Sequence, residues 1–166
     1  AAVSAIGIPL GLVAETLREF TLPKWRLEII ELPGSRILIR DCYNANPQSV
    51  RAALEVLANR SSAKKIAVLA DMMELGDLSD ELHRQIGKDA AELEIDEVIF
   101  VGEFGCYFED GFVSSGGNKD SIKTVPDKET AWNLISPRLQ EFGSILVKGS
   151  RLMKMETIAD LILKGN

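Results

Sequence analysis

A chain of 166 residues, 46% of them hydrophobic and 27% charged, is long enough for one well-buried domain. Its net charge of −6 and pI near 4.9 argue against a nucleic-acid surface, which carries a basic face, and leave room only for a local phosphate pocket. One histidine and two widely separated cysteines, Cys42 and Cys106, match no zinc spacing and read as ordinary thiols of a reducing compartment.

Residues 1–14 are apolar but lack a basic leader, contain Gly7, Pro9 and Gly11, and are too short to span a bilayer. They read as the tail of an element that begins upstream, so the chain is expected to be a piece of a larger protein. Leu12, Val13, Thr16, Leu17 and Phe20 space a short amphipathic helix starting near Pro9. Thr21 to Trp25 reads as a linker, because Pro23 disfavours helix before it. Arg26 to Leu32 and Arg36 to Asp41 flank Pro33-Gly34 and predict a hairpin.

The second of these strands is apolar without alternation at Ile37, Leu38 and Ile39, as expected of a strand covered on both faces. It runs into Asp41-Cys42-Tyr43-Asn44-Ala45-Asn46-Pro47, where Asn46 suits a helix N-cap and Pro47 the first helical position. Val50, Leu54 and Leu57 then give a helix that packs back on the sheet. After Ser61-Ser62-Ala63 comes a buried strand, Lys65 to Ala70, ending at Asp71. A helix follows, capped by Asp77 or Ser79, with an apolar stripe of Leu78, Leu82, Ile86, Ala90 and Leu93; His83 falls beside that stripe and reads as a boundary residue. Glu97 to Val101 is a third strand of this kind, and Glu103 to Lys119, broken by four glycines, predicts a short helix and a loop. Ser121 to Val125 is an edge strand; Asp127 caps a helix that restarts near Ser136 because of Pro137. Gly143 to Val147 is the last strand, and a closing helix carries Leu152, Met155, Ile158 and Ile162.

Alternation of strand and helix predicts an α/β, doubly wound, mainly parallel sheet with one antiparallel strand and helices on both faces. Parallel strands would bring three polar clusters to one sheet edge: Asp41 to Asn46, Asp71 to Gly76, and Lys148 to Arg151. Each has a plain structural reading: an Asx turn at Asp41, helix capping at Asn46, core-filling methionines after Asp71, and a solvated basic turn at Lys148. The functional reading places Lys148, Gly149, Ser150 and Arg151 at a helix N-terminus, with two cations aimed at one anion. Arg26 is either a surface residue or a cation that swings toward a neighbouring domain's ligand. Arg60, Lys64 and Lys65 read as solvation of a helix-to-strand connection. The chain has neither Gly-x-x-x-x-Gly-Lys-[Ser/Thr] nor Gly-x-Gly-x-x-Gly, so it is not expected to hold a nucleoside triphosphate alone.

In order, Leu22-Pro-Lys-Trp-Arg26-Leu-Glu28, Asp41-Cys-Tyr-Asn-Ala-Asn-Pro47, Ala70-Asp-Met-Met-Glu-Leu-Gly76 with His83, and Val147-Lys-Gly-Ser-Arg151 span residues 22 to about 156. They resemble the C-terminal part of the Mur ligases, in the branch of UDP-N-acetylmuramoyl-tripeptide:D-alanyl-D-alanine ligases (MurF). The resemblance implies a Rossmann-like C-terminal domain over 23–166 and, over 1–22, the remnant of a central ATPase domain and linker. It also implies a cytoplasmic, ATP-dependent amide-forming ligase of peptidoglycan synthesis. Such an enzyme works on UDP-MurNAc-tripeptide and D-Ala-D-Ala with ATP and Mg2+ held mainly by the central domain. This part would be inactive alone and without membrane or nucleic-acid partners. By position, Arg26, Asp41, Asn44 and Asn46 are implied in ATP binding, Tyr43, Asp71, Ser150 and Arg151 in substrate binding, and Lys148 in catalysis. Arg40, where the family often has an acid, and Ala70, where it usually has glycine, depart from the pattern. The competing expectations are a receiver-like signalling domain, suggested by aspartates after two strands and a lysine after the last, and a binding module without chemistry.

Overall fold

The computed structural model describes residue 7 and residues 9–19, 23–60 and 64–165. The apolar tail over 1–6, Phe20 of the first stripe, the linker's start at Thr21 and Leu22, and the Ser61-Ser62-Ala63 connection lie outside these residues. Helix α1 covers Leu10–Glu19; a hairpin of β1 (Glu28–Leu32) and β2 (Arg36–Asp41) follows. Then come α2 (Pro47–Ala58), β3 (Lys65–Ala70), α3 (Ser79–Glu92), β4 (Glu97–Val101), α4 (Gly105–Ser114), β5 (Ile122–Val125), α5 (Lys128–Ile135), β6 (Ser144–Lys148) and α6 (Glu156–Lys164).

The six strands order as β1-β2-β6-β3-β4-β5, with β1 antiparallel to β2 and the other neighbours parallel. The chain steps outward from β3 to β5, then returns to insert β6 between β2 and β3. Carboxyl ends therefore meet where strand order reverses, at β2 and β6, the place where open α/β sheets form their crevice. Strand side chains alternate between two cores. Ile39, Ala67, Leu69, Phe100 and Leu146 pack with α2, α3 and α4 on one face; Leu38, Val68, Ile145 and Val147 pack with α5 and α6 on the other.

Local signals explain the elements near the crevice. Asn46 caps α2 by accepting from the Ser49 amide at 2.9 Å, and Ser49 Oγ accepts from the Asn46 amide at 3.1 Å, a reciprocal box that fixes where the helix starts. As expected, Val50, Leu54 and Leu57 are buried. Asp127 caps α5 through Thr130, and at Ser136–Glu141 the chain tightens into a three-residue-per-turn helix at Pro137.

Helix α3 differs from expectation. Neither Asp77 nor Ser79 caps it; a tight turn at Gly76–Leu78 leads in, and Ser79 Oγ instead donates to the Gly76 carbonyl. The buried face is also rotated: Leu78 is exposed and Leu82 half-buried, while His83, Ile86, Gly87 and Ala90 are buried. The cause is α4. A Cβ at Gly87 would collide with the Phe108 carbonyl, and one at Gly111 with the Arg84 carbonyl. The two helices thus approach backbone to backbone through these glycines, which is why the Glu103 to Lys119 stretch carried no apolar period.

Candidate functional site

The residues entering the domain have an irregular backbone. Trp25 and Leu27 are both left-handed, at φ 64° and 46°, which costs a non-glycine residue about 1–2 kcal/mol. Contacts hold them there: the Tyr43 amide donates to the Trp25 carbonyl at 3.1 Å, and the Leu27 amide donates to Asp41 Oδ1 at 3.1 Å. The conformation sends Trp25 into the α5/α6 core and Leu27 into the α2/α3/α4 core. Between them the exposed Arg26 lays its guanidinium over the Tyr43 ring, 4.1 Å from the centroid.

Asp41 and Lys148 are register partners at the ends of β2 and β6, so both side chains leave the same sheet edge on the same face. Lys148 Nζ donates to Asp41 Oδ2 at 2.5 Å and to the Asn44 carbonyl at 2.9 Å. Its side chain is 1% exposed and that of Asp41 13%. The plain alternative of an Asx turn is not what Asp41 adopts; its two oxygens are spent on the Leu27 amide and on Lys148. A cleft of about 300 Å³ opens beside the pair, lined by Arg26, Leu27, Asp41, Tyr43, Asn44, Asn46, Ser49 and Lys148. Two cations and one carboxylate give it a positive balance suited to an anionic ligand bearing hydroxyl groups. The sequence reading thus brought six site candidates together and missed Leu27 and Ser49. Ser49 was findable as the capping-box partner three residues after Asn46.

The remaining candidates sit apart from this cleft. Arg151 starts a tight turn at Arg151–Met153, Lys154 is left-handed, and α6 begins only at Glu156. The expected arrangement of two cations at a helix N-terminus is therefore not formed. Arg151 pairs with Glu156 at 2.8 Å and stacks over Trp25 at 4.4 Å, on the α6 side of the sheet, whereas Lys148 lies on the α2 side. Ser150 Oγ accepts from the Met73 amide at 2.8 Å, and the Ser150 amide donates to the Asp71 carbonyl at 3.4 Å. The Asp71 carboxylate is buried, accepting from the amides of Glu103 at 2.9 Å and Phe104 at 3.2 Å. Thus Asp71 and Ser150 tie together the loops that follow β3, β4 and β6.

His83 is fully buried rather than at a boundary. Burial, the largest influence, lowers its proton affinity below the usual histidine range, against the pull of the Ser79 carbonyl and of Asp71 and Asp80. The Cys42 thiol is pushed up to about 12, first by burial and then by the charges of Glu156 and Asp41, so it is an inert core group. Arg40 and Ala70, the two departures, are accounted for. Arg40 pairs on the α6 face with Glu28 at 2.7 Å and Asp160 at 3.1 Å; Ala70 is buried with its methyl against Gly149. Lys64 pairs with Glu97 and Glu141, and Lys65 donates to the Ala58 carbonyl at the end of α2, so both do more than solvate their connection. Another cavity, about 200 Å³, lies at the opposite edge by Glu97 and Arg138, but the Arg138 fork is spent on Glu97 and Glu141. Among the described residues no group of three or more His, Cys, Asp or Glu is placed to hold a metal ion, and no helix is long and apolar enough to cross a membrane.

The sequence profile of the Mur ligase glutamate ligase domain matches residues 25–151. A UDP-N-acetylmuramoyl-tripeptide--D-alanyl-D-alanine ligase of Bacillus subtilis is 32% identical over 98% of this chain and 36% of its own length. One of Escherichia coli is 34% identical over 93% of this chain and 33% of its own. A crystal structure of MurF from Acinetobacter baumannii superposes with a TM-score of 0.82 at 34% identity, covering 97% of this chain and 35% of that one. The chain thus spans about a third of the length of the relatives it matches. With the profile covering residues 25–27, the Asp41 cleft and the Lys148 loop alike, the chain belongs to the Mur ligase family and carries its C-terminal, glutamate ligase domain.

Proposed function

We propose that this chain is the C-terminal domain of a MurF-type ligase, with residues 1–22 the remnant of a central ATPase domain and linker and 23–166 the domain itself. The whole enzyme joins D-Ala-D-Ala to UDP-MurNAc-tripeptide in the cytoplasm during peptidoglycan synthesis. ATP phosphorylates the tripeptide's terminal carboxylate; the dipeptide amine attacks that carbonyl, the amide forms, and phosphate leaves. ATP and Mg2+ are held mainly by the central domain, and this domain closes over them. The observation that carries the reading is the meeting of Arg26, Tyr43, Asp41 and Lys148 around one cleft at the carboxyl edge of β2 and β6.

In this reading Arg26 is the cation that reaches the nucleotide, and the Arg26–Tyr43 stack keeps it extended over the cleft. Asp41, Asn44 and Asn46 offer oxygens and amide groups to the ribose side, and Tyr43 faces the substrate from the cleft's outer wall. Arg151 stands exposed at the rim where the dipeptide arrives, and the buried Asp71 and Ser150 serve that rim by holding its loops together. Lys148 supplies positive charge beside the site of phosphoryl transfer, where charge builds on oxygen. Its ammonium, held by Asp41 and the Asn44 carbonyl, also fixes the loop that lines the cleft. The receiver-like alternative has no support, because the lysine that would sense phosphorylation is already paired with Asp41 while Asp71 is consumed by backbone amides.

The test is phosphate release by the full-length protein with UDP-MurNAc-tripeptide, D-Ala-D-Ala and MgATP. Release is expected only with all three, with Arg26→Ala raising the KM for ATP and the isolated 166-residue chain inactive. Turnover by the isolated chain, or an Arg26→Ala enzyme indistinguishable from its parent, would refute it.

A further inference from the structure

His83 is the chain's single histidine, fully buried and assigned no part in the chemistry above. Its ring has two partners that fix its tautomer. Nδ1 lies 2.7 Å from the Ser79 carbonyl, which only accepts, so the proton sits there; Nε2 accepts from the Met72 amide at 2.9 Å. One flat face stacks on Phe104, with centroids 4.5 Å apart and planes 8° from parallel, and Phe100 meets the ring edge-on at 5.9 Å.

These contacts close a circuit. Phe104 is fastened to the Asp71 carboxylate through its own amide, Asp71 precedes Met72, and the next amide, Met73, donates to Ser150 Oγ. The Ser150 amide returns to the Asp71 carbonyl. Every link except His83 belongs to a loop at the carboxyl edge of the sheet; His83 alone comes from a helix, α3, and anchors the circuit to the core. A backbone segment pinned at two successive amides by side chains from two different elements is held in one register rather than left to sample several.

We propose that His83 is a positioning residue: by holding the Met72 amide it fixes the Met72–Met73 backbone, and that backbone fixes the buried Ser150, the residue that precedes the exposed Arg151 at the rim of the site. The proposal rests on the reading that this rim receives the dipeptide. It carries a built-in dependence on protonation. A second proton on the ring would place an N–H at Nε2 against the Met72 N–H, removing the acceptor. The charged groups acting on the ring are Asp71 from the loop and Asp80 from α3; Phe100 and Phe104 bring none.

The experiment uses the full-length ligase and two variants. His83→Phe keeps an aromatic ring on Phe104 but offers the Met72 amide no acceptor; His83→Gln keeps an acceptor. Amide exchange read by mass spectrometry should quicken about 5-fold or more in the peptides covering 71–75 and 148–152 of His83→Phe, the effect of losing one buried bond. Peptides from α2 should not change, and His83→Gln should recover most of the protection. In kinetics, His83→Phe should raise the KM for D-Ala-D-Ala about 5-fold while the KM for ATP moves less than about 2-fold. Faster exchange confined to 71–75, faster exchange throughout the protein, or equal changes in both KM values would each overturn the proposal. If His83→Phe does not fold, the unmutated enzyme still decides it: exchange corrected for intrinsic rate must rise in both peptides as pH falls through the protonation of His83 itself, followed by the ring's own NMR signals, and protonation without a rise refutes it. Absence of ligation by the unmutated enzyme counts against the proposed function alone, since the exchange pattern is read independently.

Discussion

Replacing Lys148 by methionine is the sharpest test of how the crevice is built. Methionine matches the length of the lysine stem and stays apolar, so the change deletes an ammonium that is 1% exposed together with its bonds to Asp41 and the Asn44 carbonyl. Breaking a buried pair by removing one partner costs about 3–5 kcal/mol, because the other charge is left behind. Here the orphan is Asp41, which is 13% exposed and keeps the Leu27 amide, so the low end, about 3 kcal/mol, is expected. For a domain of this size that is a fall in Tm of roughly 6–12 °C. Urea unfolding followed by circular dichroism measures it. Asp41→Asn should cost about as much, by leaving Lys148 buried without its counter-charge, and the double variant should cost at least about 2 kcal/mol less than the sum of the singles. A loss below about 1 kcal/mol for Lys148→Met, or singles that add within about 0.5 kcal/mol, would refute the account of the pair as the latch between β2, β6 and the Leu27 backbone.

Other expectations follow from the same structure. Gly87→Ala and Gly111→Ala each force a Cβ into the facing carbonyl, so each should cost about 1–3 kcal/mol by denaturant unfolding. Because both sit on the one α3–α4 contact, the double variant should cost less than their sum. Asn46→Ala removes the side-chain half of the capping box and should cost about 1 kcal/mol, while Asn46→Asp should be close to neutral. Stability should depend on pH through His83, whose folded form holds the proton less tightly than the unfolded chain. Above the ordinary value of 6.5 both forms are neutral and nothing changes; as pH falls below it the unfolded chain takes up the proton first, and stability declines until the folded value is passed. His83→Phe should erase that decline, and a variant that keeps it would refute the assignment.

The sheet was legible because its signals are local and repeated. Unbroken apolar runs at Ile37 to Ile39 and Ile66 to Ala70 stop at polar residues, and Pro33-Gly34, Asn46-Pro47 and Pro137 each punctuate the chain by a defined backbone mechanism. Helix α3 was misread for the opposite reason. Its apolar residues fit a stripe on Leu78, Leu82 and Ile86, but which face is buried depends on a partner helix distant in sequence, and that partner docks through glycines that carry no hydropathy signal. The same rotation that exposes Leu78 turns His83 inward.

At the site, strand direction alone sufficed to predict that Asp41 and Lys148 share an edge, and the register pairs them directly. Which face each polar residue takes was not legible beyond the strand, because the period of 2 ends with it. Lys148 follows Leu146 onto the α2 side by that period, but Arg151 lies past Gly149 and a turn, and it emerges on the α6 side against Trp25 and Glu156. Residues 25–27 answer this division: Trp25 meets Arg151 on one side, Arg26 meets Tyr43, and Leu27 closes on Asp41 and the opposite core. Two left-handed residues in three are what let consecutive side chains straddle the sheet edge in this way, and no propensity favours them there. The conformation of residues 25–27 is thus held by the crevice they contact, through the Tyr43 amide at Trp25 and Asp41 at Leu27.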